Sequence, residues 1–302
     1  MAPSGVRGAP GGVDPPGSPG GMTDDGATDA PFRDDRILHV TRLVAWIIVP
    51  FLAAAFLVLF GFPGRTTELF AWTIRPDMTP MLMGAGYGAG VYFFYRVATG
   101  EEWHRVAPVF PGIAAFTWFM AVATVLHWEN FNHDHYTFVL WVALYAVTPV
   151  LIPAIWWINR RTASEPSVED VRLPRAVRLV GGALGVLVTS SAVVLFVAPG
   201  PMVGAWPWAV SPLTARILAG WFALFGVVSG IVVLDPRWSA ARLPVRSQLL
   251  GFALVLVGVA RAWSDFDPSN PLTWGVVGGM VLYLGAVSVL YLRMESRHDA
   301  PG

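Results

Sequence analysis

The chain has no cysteine and no lysine, and only 13% of its 302 residues are charged. Without cysteine there are no disulfides, thiolate metal sites, thioether-linked haems or lipoprotein anchors. Without lysine there is no phosphate-loop lysine, Schiff-base catalysis or pyridoxal site. All twenty basic residues are arginine, which we read as the codon bias of a GC-rich genome. A soluble domain carries about 25% charged residues, so this charge content marks a membrane protein. Formal net charge is zero, which gives no bulk electrostatic reason to expect a nucleic-acid partner.

What is abundant is apolar: 55% of residues are hydrophobic. A bilayer core needs about 20 apolar residues per helix, and eight stretches qualify, at 38–61, 79–98, 107–127, 136–158, 176–198, 213–234, 246–263 and 272–293. Breaker clusters separate them, such as GFPG at 61–64, APGP at 198–201 and DPSNP at 267–271. Residues 1–35 are rich in Gly and Pro and read as a disordered tail. Met22 is a second candidate start, and the tail has no secretory-signal pattern.

The arginines orient the bundle. Sixteen lie in the tail and in the segments around 33–42, 96–105, 160–178, 237–246 and 293–297, against four (Arg65, Arg75, Arg216 and Arg261) on the other side. The positive-inside rule puts both termini in the cytoplasm and the protein in a bacterial plasma membrane.

Two short echoes divide the chain. FAWTIRP at 70–76 matches WPWAVSP at 206–212, an offset of 136, and HWENF at 127–131 matches AWSDF at 262–266, an offset of 135. The first four spans shifted by this offset fall on the last four. The expected fold is therefore an all-α integral membrane protein of two parallel four-helix repeats, related by a pseudo-twofold axis along the membrane normal. The first repeat covers 36–162 and the second 176–294, with a cytoplasmic linker at 163–175 and a C-terminal tail at 295–302. The Trp-Pro pairs read most simply as interfacial belts and helix starts. Gly86 and Gly90, Gly226 and Gly230, and Gly275 and Gly279 form G-x-x-x-G patterns expected at close helix contacts. Under the repeat, spans 2 and 6 would meet at the axis.

Function is less legible. No Asp, Glu or His stands near the middle of any span, which weakens a proton-coupled mechanism; the central polar groups are hydroxyls such as Tyr87, Thr117, Thr124 and Ser229. Charged and aromatic groups on the outer side are the ligand candidates: Trp72, Arg75, Asp77, Trp208, Arg216, Arg261, Asp265 and Asp267. Arg261 and Asp265, four apart, can pair locally. The run HWENFNHDHY offers His127, Glu129, His133 and His135 as metal ligands, at a spacing that matches no known signature. GAGYGAG at 84–90 is no dinucleotide fingerprint, because no strand precedes it.

The run FAWTIRPDMTPMLMGAGYGAG followed by VLHWENF resembles a group of uncharacterised polytopic membrane proteins of high-GC, actinobacterial-type bacteria. That resemblance implies location and brings no catalytic residues. Three functions stay open: a permease-like carrier or channel for a small uncharged or anionic solute, entered through an outer vestibule; a non-transporting membrane scaffold or subunit; and a membrane enzyme with an outer His/carboxylate metal site. Catalytic residues and a resident cofactor are not expected beyond a divalent metal at that outer cluster, and the only partner that the sequence implies is the lipid bilayer.

Overall fold

A computed structural model describes residues 34–163, 170–231 and 234–298. The expected disordered tail lies outside the described residues, except for Asp34 and Asp35, and so do residues 164–169 of the expected linker. Eight long helices make up the fold: α1 (His39–Phe56), α2 (Met78–Thr99), α3 (Phe110–Leu126), α4 (Tyr136–Asn159), α5 (Arg175–Val197), α6 (Pro212–Ile231), α7 (Trp238–Arg261) and α8 (Pro271–His298). The last turn of α1 widens into a π-helix at Leu57–Gly61. α8 continues through residues 295–298, which the sequence assigns to a tail.

Seven of these helices are long and apolar enough to cross a membrane. The exception is α2, which has 22 residues, about 33 Å at 1.5 Å per residue, but is rich in Gly, Ala, Tyr and Met. Its place explains the composition: α2 has neighbours on several sides, α1, α6 and α7. Most of its side chains are buried against protein, so it needs small residues more than lipid-soluble ones. At the other extreme, no residue in the apolar window of α8 is buried inside the chain.

Pro212 and Pro271 open α6 and α8, where a missing N–H costs nothing. The N-terminus of α2 is satisfied from a distance: the Met78 amide donates to Asp265 Oδ2 at 2.8 Å. His135 caps α4, its Nδ1 accepting from the Thr137 amide.

The helices pair as hairpins: α1 with α2, α3 with α4, α5 with α6, and α7 with α8. Across the chain, α2 packs on α7 and α3 on α6, while α2 and α6 meet at the centre. Loop contacts recur as well. At the tryptophan-rich end, Trp72 meets Phe131 edge-on at 5.0 Å and 65°, and Trp208 meets Phe266 at 5.0 Å and 63°. Asn132 N donates to Ala71 O, and Asp267 N to Pro207 O. At the arginine-rich end, Trp103 N donates to Asp35 O and Trp238 N to Val171 O. Arg36 and Glu102 form one isolated bridge, and Arg172 and Arg237 another.

Glycines set the closest helix approaches. A Cβ on Gly86 would enter the Trp221 ring. One on Gly185 would lie 2.7 Å from Gly230 Cα and 2.8 Å from Gly226 O, so the Gly226–Gly230 pair receives α5. Gly90 faces Leu52 of α1 at 3.2 Å. Gly275 and Gly279 correct the expectation: a Cβ there meets nothing within 4 Å, because α8 turns that face away from the rest of the chain. Gly185→Val should therefore cost about 1–3 kcal/mol through overpacking, whereas Gly275→Val should change stability by no more than about 0.5 kcal/mol, as read from unfolding midpoints in detergent.

Candidate functional site

The outer-side candidates do not assemble into one site. Trp72 is buried, not belt-like, and packs on Phe70, Phe131 and Trp141. Trp208 is buried too, its indole N–H donating to Thr79 Oγ1 at 2.9 Å. Burial in protein replaces the interfacial role expected of both. Arg75 donates to Asp77 and to Gly64 O. Arg216 bridges Phe196 O (2.9 Å) and His127 Nε2 (2.8 Å). Arg261 reaches Phe60 O at 2.7 Å rather than Asp265, since Asp265 is taken by the α2 N-terminus. Asp267 accepts from the Ser269 amide and hydroxyl, and these bonds hold its pKa below the ordinary value. Each charged group is engaged where it stands, while the buried Trp72 indole N–H has no hydrogen-bond partner among the described residues.

The outer histidines also fail to converge. His133 Nε2 bonds Trp128 O at 3.0 Å, and its ring packs on Trp128 and Phe138. His135 is held between Thr137 and Glu68 O. His127 faces Arg216, and Glu129 is exposed on the turn that follows α3. Among the described residues, the His/carboxylate group whose ligand atoms do come within 4.8 Å of one another is Asp35, Glu102 and His104, at the opposite, arginine-rich end.

Away from these loops lies a cavity of about 290 Å³. It is lined by α1, α2, α3 and α4 and, from the second half of the chain, by α6 and α7. Its lining on α4 runs from Tyr136 to Ile152, about 24 Å along a helix. Nearly all of it is aliphatic or aromatic, and no charged side chain lines it. Tyr87 and Tyr145 meet inside it, hydroxyl to hydroxyl at 3.0 Å. Thr117 and Thr148 spend their hydroxyls on the carbonyls of Ala114 and Leu144, as helical threonines commonly do. Two further lining groups, the Trp221 indole N–H and the Ser247 hydroxyl, are buried with no hydrogen-bond partner among the described residues. None of the eight outer-side candidates lines this space.

Sequence reasoning found Tyr87 and Thr117 but missed Tyr145, Trp221 and Ser247. Tyr145 stands two helices further along the chain, with no pattern to tie it to Tyr87. It also missed His104, although a third echo was available: Trp103 and Trp238, 135 apart, are both fully buried and both followed by a polar residue. No family model, no curated protein and no solved structure matches the chain.

The Arg216–His127 contact has a pH consequence. Burial first, and then the Arg216 charge, lower the His127 pKa below 6.5. The folded protein thus binds fewer protons here than the unfolded chain, so stability rises with pH through this range. The contribution is complete above about 6.5 and is lost as pH falls through the lowered folded value. His127→Gln keeps an acceptor for Arg216 but cannot titrate. Its thermal midpoint should decline less than wild type between about pH 7 and pH 5, inside the histidine range.

Proposed function

We propose that the chain is an eight-span plasma-membrane protein built from two parallel four-helix repeats, with both termini cytoplasmic, that acts as a permease-like carrier for a small lipophilic molecule. The cavity carries this reading. It is lined by helices from both halves, its walls are mostly apolar, and its few polar side chains are hydroxyls, two indoles and the Gln248 amide, of which the Trp221 N–H and the Ser247 hydroxyl have no hydrogen-bond partner among the described residues. Such a lining suits a largely apolar ligand with one or two hydrogen-bonding atoms, because a few placed polar groups in an apolar pocket fix orientation. A carbonyl or hydroxyl on the ligand would meet Trp221 N–H or the Tyr87–Tyr145 pair, relieving a buried donor that otherwise costs about 1–3 kcal/mol. An anionic solute is not supported, since no cationic side chain lines the space.

The recurring hairpins and the paired Trp–Phe contacts support the repeat, and so does the α2–α6 contact at the centre. A second reading has one observation in its favour: the open Gly275–Gly279 face of α8 suits a neighbouring helix, as in a subunit of a larger membrane assembly.

The absence of cysteine makes orientation simple to test. A cysteine at Asn132 should react with an impermeant maleimide in intact cells, and one at Arg161 only after permeabilisation; the reverse result would invert the topology. For the cavity, wild-type protein purified in detergent should carry a lipophilic molecule detectable by native mass spectrometry. Tyr145→Phe should lower its occupancy by about 5- to 10-fold, the worth of one hydrogen bond, and Ala55→Trp should remove it. Equal ligand content in wild type and a folded Ala55→Trp variant would sink the carrier reading.

A further inference from the structure

The arginine-rich end holds a chain of side chains that the lipophilic cavity does not explain. His104 sits just after α2, in the 3₁₀ turn Trp103–Arg105. Its Nδ1 contacts Asp35 Oδ2, and its backbone amide donates to Asp35 Oδ1 at 3.1 Å. Its Nε2 lies 3.0 Å from Ser239 Oγ in the first turn of α7. Ser239 Oγ in turn contacts Asp170 Oδ2. Glu102 Oε2 lies 3.9 Å from the same Nε2 and pairs with Arg105. His104 is nearly enclosed, with 12% of its side chain exposed, and Asp35 is buried. The neighbouring Arg237 is committed to Asp235, whose hydrogen bonds raise its pKa above the ordinary value.

One ligand atom from each of Asp35, Glu102 and His104 lies within 4.8 Å of the others, and the Ser239 hydroxyl adjoins the same ring at Nε2.

We propose that this cluster holds a divalent transition metal of the zinc or manganese class, bound by His104 Nε2, Glu102 and the Ser239 hydroxyl, with Asp170 accepting from that hydroxyl. Two ligands on one ion with bonds of about 2.1 Å stand about 3.0–3.5 Å apart. Around Nε2 the oxygens of Ser239 and Glu102, at 3.0 and 3.9 Å, bracket that range. Asp35 is the positioning residue. By accepting from Nδ1–H it turns Nε2 toward the oxygens, as carboxylates behind metal-bound histidines do. Imidazole favours zinc, iron or manganese over calcium and magnesium, and the lack of sulfur disfavours copper(I). Ligands come from both sides of the 135-residue echo, His104 opposite Ser239, so the ion joins the two halves at this end. This inference is independent of the carrier reading.

The test is metal binding by the purified full-length protein, freed of metal with a chelator and titrated with Zn²⁺ or Mn²⁺. Wild type should bind one ion per chain, and Zn²⁺ should raise its thermal midpoint. His104→Gln should lose both effects. Asp35→Asn should weaken binding by about 10- to 100-fold, while His133→Ala, at the other end, should bind as wild type. If His104→Gln does not fold, Glu102→Gln replaces it, since that carboxylate is half-exposed and its loss leaves the Asp35–His104 contact in place. A wild-type protein that binds neither ion would overturn the proposal. Equal binding by wild type and the folded ligand variant would overturn it too.

Discussion

The arrangement of this bundle depends on one close approach. Trp221 of α6 lies flat against α2 only because Gly86 has no side chain to meet it. In lipid, apolar surface alone gives helices no reason to associate, so contact area at small residues must do the work. Gly86 lets the largest side chain in the sequence reach across the centre of the molecule. Once there, Trp221 meets Phe116 at 4.4 Å with the rings tilted by 46°, and meets Tyr87 edge-on at 5.2 Å. Each such aromatic pair is worth about 0.5–1.5 kcal/mol beyond its buried area. The same ring forms a wall of the cavity. Helix contact and binding space are thus two faces of one residue, and a side chain at position 86 would disturb both.

The polar groups obey a complementary constraint. With no water inside a bilayer, they are expelled to the helix ends, and there they are spent on backbone atoms of other helices. Arg261 reaches the last turn of α1 at Phe60 O, Asp265 caps α2, and Asn159 accepts from the Leu38 amide and donates to Arg36 O. These bonds span 121 to 201 residues of sequence. They tie helix ends that the apolar middle would leave free to slide.

That is also why the sequence was readable in one respect and opaque in another. Apolar runs and Gly/Pro breakers depend on neighbours in the chain, so the long helices fell where the runs did. Even α2 is legible from the apolar stretch at 79–98, and its G-x-x-x-G spacing points to a close helix contact. Loop charges are different. Whether Arg261 pairs with Asp265, four residues away, or with a carbonyl 201 residues away is decided by how helices stack, and no local pattern carries that. The outer histidines looked like a metal site because they are adjacent in sequence. The cluster at His104 looked like nothing because its members stand at 35, 102, 104, 170 and 239.

Both candidate sites sit where the echo between the halves breaks. At an offset of 136, Tyr87 becomes Ala223, and Gly86 becomes Phe222. At 135, His104 becomes Ser239. The recurring Trp–Phe contacts and loop hydrogen bonds keep their geometry in both halves, and they involve groups with structural work to do on each side. A hydroxyl pair in an apolar cavity does no such work; it would be lost cheaply, and in the second half it is replaced by a buried alanine. Under the proposed duplication, a symmetric scaffold has therefore kept its packing and let its polar interior diverge. The residues that differ between the halves, rather than those that match, are where binding chemistry has room to reside.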